Sequence, residues 1–279
     1  MARVKGNLAE RFVVEPGTRL RLAKRDPDDT AGVHSTSNYG KTLQKNIRQL
    51  FDLQTLLAAN DKCAVLVVLQ GMDTGGKDGA IRHVMTGLNP QACRVTSFKV
   101  PTDEELHHDF LWRVHKATPR RGEIGIFNRS HYEDVLVARV HKLVPKSIWS
   151  ARYEQINQFE KMLTNNNVVI FKFFLHISKE EQAQRLQARI SDRRKNWKIS
   201  AADLTERKYW DDYVTAYEDA LSKCSTGRAP WYVIPANKKW FRNLAVSQIL
   251  VDGMTAWKMG YPPPSADLSE LQTKLRAET

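Results

Sequence analysis

Residues 64–79, AVLVVLQGMDTGGKDG, decide the fold. The apolar run from Ala64 to Leu69, rich in valine and leucine, suits a central parallel strand covered on both faces. The pattern G-x-x-x-x-G-K follows at once over Gly71–Lys77, and Ala80, Ile81, His83, Val84 and Met85 continue it with a helix-compatible composition. Glycines let the backbone curl so that several N–H groups face one anion, Lys77 adds a mobile positive charge, and the start of the following helix adds its dipole. The candidate phosphate-binding set is therefore Gly71, Met72, Thr74, Gly75, Gly76, Lys77, Asp78 and Gly79, with Asp73 inside the same loop. Asp78 stands where such loops usually place the Ser or Thr that ligates the magnesium of bound ATP, so a metal has to be held in another way.

With 279 residues, 42% of them hydrophobic, the chain can bury the core of one large α/β domain, with extensions. No apolar stretch of about 18 residues exists, and MARVKGNLAERF is too charged for a signal sequence, so the expectation is a cytoplasmic protein with no membrane partner. Three scattered cysteines, Cys63, Cys93 and Cys224, read as reduced thiols filling the core. The formal charge of +12 calls for a polyanion. Its basic clusters lie at Arg19–Arg25, Arg113–Arg121 and Arg185–Lys198, inside patterned sequence. No recognition helix, RNP-like aromatic string or zinc spacing is present, so no nucleic-acid partner is expected.

Outward from the loop, residues 1–40 form an N-terminal arm, polar and broken by Pro16, Pro27 and Gly32. Leu43, Ile47, Leu50, Phe51, Leu53, Leu56 and Leu57 predict an amphipathic helix over 41–59. Further strands are predicted at 94–99, 123–127, 168–177 and 231–235, and helices at 80–90, 103–116, 130–165, 179–190, 203–223 and 240–258. Strands alternating with helices imply right-handed crossovers and a mostly parallel five-stranded sheet, whose ligands collect at the carboxyl ends of the strands. Those ends are polar: Asn128-Arg129-Ser130-His131-Tyr132-Glu133-Asp134 follows one strand, and Lys99 ends another. Ser130 with Glu133 also reads as a capping box, and Asp109 with Arg113 as an ion pair on one helix face. Arg185, Arg189, Arg193 and Arg194 read as an arginine-bearing lid over about 184–204, or as a solvated basic face.

Five segments together resemble the polyphosphate kinase 2 family over roughly 40–262: GMDTGGKDG (71–79), the stretch 88–115, GEIGIFNRSHYEDVLVARVH (122–141), KNWKISAADLTERKYWDDYVTAYEDAL (195–221) and APWYVIPANKKWFRNLAVSQIL (229–250). The resemblance implies a P-loop kinase-like three-layer α/β/α fold similar to thymidylate kinase, with a helical lid in a catalytic domain over 41–262 and a C-terminal tail at 263–279. It implies phosphoryl transfer from inorganic polyphosphate to nucleotides, AMP and ADP with ATP as product, and GMP or GDP as further acceptors. Magnesium, or manganese in its place, is the implied cofactor, and a homodimer or homotetramer the implied assembly.

Carried onto this chain, Lys77 cradles the phosphates, Asp73 orients a metal or the attacking oxygen, and Arg129 clamps the reaction centre, with Arg82, Lys99 and Arg113 as further phosphate contacts. Glu133 and Asp134 complete the catalytic and metal set, and Asp211 and Asp212 are candidates for a second metal contact. Asn128 replaces the Asp found in many members; the FNRSHYED form resembles the third class, associated with AMP and ADP. An ATP-dependent nucleoside or nucleotide kinase of the same fold is the competing expectation, and a basic binding protein with a degenerate loop the non-enzymatic one.

Overall fold

The computed structural model describes residues 7–33 and 36–278, so part of the arm expected over 1–40 (residues 1–6, 34 and 35) lies outside the described residues. Five strands, β1 (Ala64–Gln70), β2 (Cys93–Ser97), β3 (Ile124–Asn128), β4 (Val168–His176) and β5 (Trp231–Pro235), form one all-parallel sheet in the order β2-β3-β1-β4-β5. The first half of the chain builds leftward from β1 and the second half rightward. This puts the change of direction, where open α/β sheets bind ligands, at the carboxyl end of β1.

Twelve helices are described: α1 (Leu8–Phe12), α2 (Thr36–Asn60), α3 (Lys77–Val84), α4 (Asp103–Leu106), α5 (Trp112–Lys116), α6 (Val137–Val140), α7 (Lys146–Asn165), α8 (Lys179–Ser191), α9 (Ala201–Glu206), α10 (Trp210–Lys223), α11 (Lys239–Thr255) and α12 (Leu268–Ala277). Alternation along β4 shows how they layer. Phe171 abuts Gly253 of α11, whereas its neighbour Lys172 reaches Glu160 of α7, and Phe174 packs on Tyr217 of α10. Adjacent strand residues point to opposite faces, so α11, with α2 and α3 packed on it, covers one face and α7 with α10 the other. Residues Ala64–Leu69 are all at most 1% exposed, as a doubly covered strand requires.

Three expected helices differ; the one expected over 203–223 is interrupted between α9 and α10 by a 3-10 turn (Arg207–Tyr209). The helix expected over 103–116 splits into α4 and α5, because Asp109 caps the Leu111 N–H at 2.9 Å and does not sit on a helix face. Arg113 accordingly pairs with Glu105 at 3.3 Å and not with Asp109. The helix expected over 130–165 begins as a 3-10 turn (His131–Asp134), continues as α6 and restarts as α7 after Pro145, whose ring cannot continue a helix behind it. At that first turn Ser130 accepts from Tyr132 N–H, so it caps without forming the expected box with Glu133.

The described part of the arm contributes Leu8, Phe12, Val14, Leu20 and Leu22 to the same core as the sheet. Val14 N–H bonds Trp231 O at 2.8 Å, and Phe12 packs edge-on against Phe241 at 5.8 Å.

Candidate active site

The loop between β1 and α3 closes against two neighbouring strands. A Cβ on Gly71 would come within 2.8 Å of the Leu175 carbonyl of β4, so only glycine allows this approach. Gly76 caps α3 with φ 97°, a left-handed conformation that glycine takes without strain. Thr74 (φ 59°) and Arg129 (φ 63°) also adopt left-handed backbone without being glycine. They sit after β1 and β3, where strain of about 1–3 kcal/mol each is held by the surrounding structure.

Lys77 is buried, and its Nζ donates to the carbonyls of Gly71 (2.8 Å) and Met72 (3.3 Å). Burial and the like charge of Arg129 pull its pKa down to about 8, against the pull of Asp73, Glu133 and Asp78. Burial also works against the charge of Arg129, but Glu133, the Tyr217 and Tyr213 hydroxyls and Asp73 outweigh it and raise its pKa. Lys77, Arg129, Asp73 and Glu133 are thus one electrostatic group, drawn from the ends of β1 and β3. Behind it, Gln70 donates to Ser130 Oγ at 3.1 Å and accepts from Tyr217 at 3.4 Å, which ties the two strand ends to α10.

The segment expected as a lid supplies a residue that sequence reading missed. Asp203, in the first turn of α9, meets the Asp73 carboxyl closely enough to share a hydrogen bond. Burial and the neighbouring Asp73 raise the pKa of Asp203. Burial alone would raise Asp73 as well, but the bond with Asp203, Lys77 and the Thr74 N–H hold it low, helped by Arg189. Asp73 Oδ2 is buried and receives no N–H or hydroxyl, and Thr74 Oγ1 beside it is likewise unpartnered. An unsatisfied carboxylate oxygen in a site that holds a second carboxyl is chemistry that fits a hard cation. No group of three or more His, Cys, Asp or Glu that could hold a metal occurs among the described residues, so phosphate oxygens and water would complete the shell.

Other expected site residues lie elsewhere or are engaged. Asp134 is turned away onto Arg152, which donates to its Oδ1 at 3.1 Å and its carbonyl at 3.0 Å, and burial raises its pKa. Asp211 and Asp212 are exposed on the first turn of α10, outside that electrostatic group. Arg82 and Lys99 are exposed, and Arg113 is held by the Lys99 carbonyl (2.9 Å) and Glu105. Asp78 is exposed and accepts from Asn128 Nδ2 at 2.7 Å, joining the two positions that depart from the usual motifs.

Of the lid arginines, Arg185 is a buried brace. It donates to Thr74 O (2.9 Å), to Ala236 and Asn237 carbonyls and to Glu181 (2.7 Å). Arg189 reaches toward Asp73, Arg194 pairs with Asp192 at 3.1 Å, and Arg193 is exposed. Tyr213 and Glu206, bonded at 2.9 Å, anchor the far end of α9. The unforeseen members Asp203, Tyr213 and Tyr217 all lie in 195–221, a segment whose sequence resemblance marked it without assigning these residues a role.

Comparison with known proteins gives a family model, Polyphosphate kinase 2 (PPK2), matching residues 33–260. The chain is 52% identical to an AMP/ADP-polyphosphate phosphotransferase of Meiothermus ruber, over 91% of this chain and 96% of the relative. It is 47% identical to an ADP-polyphosphate phosphotransferase of Rhodopseudomonas palustris, over 91% of this chain and 92% of that one. The solved structure of a polyphosphate kinase 2 from Arthrobacter aurescens TC1 superposes with a TM-score of 0.94 at 41% identity, covering 99% of each chain.

Proposed function

Because the chain belongs to the polyphosphate kinase 2 family, we propose that it transfers the terminal phosphoryl group of inorganic polyphosphate to ADP and to AMP. The observation that carries this reading is the pairing of buried Lys77 with exposed Arg129, two cations set by the ends of adjacent strands around a phosphate loop that lacks the usual Ser or Thr. Reading the reaction through this site, Lys77 exchanges the Gly71 and Met72 carbonyls for phosphate oxygens. Arg129, held by Glu133, lies where charge spreads over the group in flight. Positioning and charge neutralisation then supply most of the acceleration, as in-line phosphoryl transfer requires. Closure of the lid excludes water, which otherwise competes as acceptor.

Asp73 is the residue best fitted to hold magnesium, through its unpartnered Oδ2, with the Asp203 carboxyl beside it. When bound, the metal supplies charge neutralisation between phosphate oxygens. Manganese is expected to substitute. A catalytic unit over 41–262, a homodimeric or homotetrameric assembly and a cytoplasmic setting belong to the same reading; the three free cysteines accord with the last.

The test is an assay of purified protein with magnesium and long-chain polyphosphate, offering ADP and AMP separately and resolving nucleotides by chromatography. ATP from ADP, and ADP then ATP from AMP, is the expected result, with Lys77→Ala protein controlling for contaminating adenylate kinase. Absence of nucleotide product with polyphosphate, and product with ATP as donor, overturns it in favour of an ordinary nucleotide kinase.

A further inference from the structure

Helix α9 carries Asp203 to Asp73, yet it buries none of its 6 residues, and Leu204 is 54% exposed. Apolar packing therefore does not hold it, and a helix this short has little stability of its own. Ser200 with Asp203, and Thr205 with the Ala201 carbonyl, bond within the segment. Among the described residues, the polar side chains of α9 reach outward at two places: Asp203 to Asp73, and Glu206 to His141 and Tyr213.

His141 follows α6, on the stretch that runs on from Arg129 and Glu133 at the end of β3. Its Nε2 lies 3.0 Å from Glu206 Oε2; the Tyr213 hydroxyl donates to the same oxygen at 2.9 Å and stands 3.3 Å from Nε2. The Tyr209 ring packs edge-on against the imidazole at 5.0 Å. Burial and the bond with Glu206 raise the pKa of Tyr213, so the phenol keeps its proton and remains the donor. Tyr213 also acts on Arg129, which joins this group to the reaction centre.

The opposite leg of the segment is fastened to the loop. Gln182 of α8 donates to the Asp73 carbonyl at 3.2 Å and Arg185 to that of Thr74 at 2.9 Å. Arg207, one residue beyond Glu206, donates to Gln182 Oε1 and to the Lys179 carbonyl, both at 2.8 Å. α9 thus spans from the loop after β1 to the β3 side, which it reaches through Glu206. The His141 and Glu206 side chains are 26% and 38% exposed, and a contact between groups so open to water is weak. Such a contact biases a position without fixing it.

We propose that Glu206, with Tyr213 and His141, is the latch that keeps α9, and with it Asp203, over the phosphate loop, and that all three are positioning residues for the transfer. The inference rests on the polyphosphate reading above and adds what sets the balance between closed and open positions of this segment. Releasing Glu206 leaves α9 without a hold on the β3 side, so the loop loses Asp203 and admits water. A merely structural contact would change stability and leave the catalytic parameters where they are.

The experiment compares wild type with Glu206→Ala, Glu206→Gln, His141→Ala and the double variant Glu206→Ala/His141→Ala. It reads hydrogen exchange of the α9 amides, and steady-state kinetics with polyphosphate and ADP. Glu206→Ala and His141→Ala are each expected to speed exchange in α9 about fivefold or more, with the sheet unchanged, and to lower kcat/KM by a similar factor. Glu206→Gln, which still accepts from Tyr213, is expected to stay within about twofold of wild type. The double variant is expected to lose no more than Glu206→Ala, as partners in one contact do. Melting temperature checks folding; if Glu206→Ala does not fold, His141→Ala decides. Folded variants with wild-type exchange in α9, or with faster exchange and wild-type kcat/KM, overturn the latch. Absence of polyphosphate turnover by wild type overturns the underlying reading instead, and exchange in α9 still decides whether the latch exists.

Discussion

At the scale of single residues, Lys77 and Arg129 share one small volume with Asp73 and Glu133, and each cation disturbs the other. Lys77→Ala and Arg129→Ala are each expected to lower turnover about 100-fold or more, the effect of removing one preorganised charge donor. Steady-state kinetics checks this, with melting temperature as the control for folding. Lys77 also makes a pH prediction. Its folded pKa, about 8, lies below its usual 10.5, so between these values the unfolded chain binds the extra proton. Stability contributed by this group therefore rises with pH through that window. Function moves the other way: phosphate needs the ammonium, so polyphosphate affinity falls as pH rises above about 8. Calorimetric titration from neutral to alkaline pH is expected to show this fall in wild type and a flatter profile in Lys77→Arg.

At the scale of elements, the turn that follows Arg129 is fastened from behind by a buried ionic group. Lys172 of β4 donates to Glu160 of α7 (2.6 Å), to the Tyr132 hydroxyl (2.9 Å) and to the Cys224 carbonyl (2.6 Å). Tyr132 and His131 also reach Glu160, at 2.8 and 3.3 Å. Removing one partner of such a pair leaves the other charged and dry. Lys172→Met is expected to cost about 3–5 kcal/mol, read as a drop in melting temperature of roughly 10 °C. The lid makes the second prediction at this scale. Asp203 arrives at Asp73 only because α9 folds over the loop, so Asp203→Asn is expected to raise the magnesium needed for half-maximal activity about tenfold. Direct metal titration followed by fluorescence of Trp197, 78% exposed in the lid, supplies a readout independent of turnover.

At the scale of the whole molecule, several of the cations behind the net charge of +12 gather at the loop. Lys77 and Arg129 act on each other, and Arg185, Arg242 and Lys239 act on one another, the two arginines lying against Gly76 of the same loop. The C-terminal helix α12 buries none of its residues in this chain, and Leu268, Leu271 and Leu275 face solvent. Truncation after Pro262 is therefore expected to shift the monomer's melting temperature by no more than about 2 °C. A larger fall, accompanied by a smaller mass in light scattering, would assign the tail to contacts between copies.

What the sequence by itself determined is the set of strands and the loop. β1 and β5 run over the residues that periodicity indicates, because an apolar run bounded by turn residues has few alternatives in a covered parallel sheet. The phosphate loop was legible for a similar reason: its backbone conformation demands glycine at fixed spacing, and that demand is local. Only the tertiary structure decided which charges meet. Asp134, which the family resemblance marks as a metal ligand, turns to Arg152, 18 residues on, once α7 packs beside it. Asp203 joins Asp73 from 130 positions away, and Arg242 comes to rest on glycines far earlier in the chain. Charge pairing acts through space and depends on burial, so no spacing along the chain encodes it; the fold has to bring the partners together before their chemistry exists.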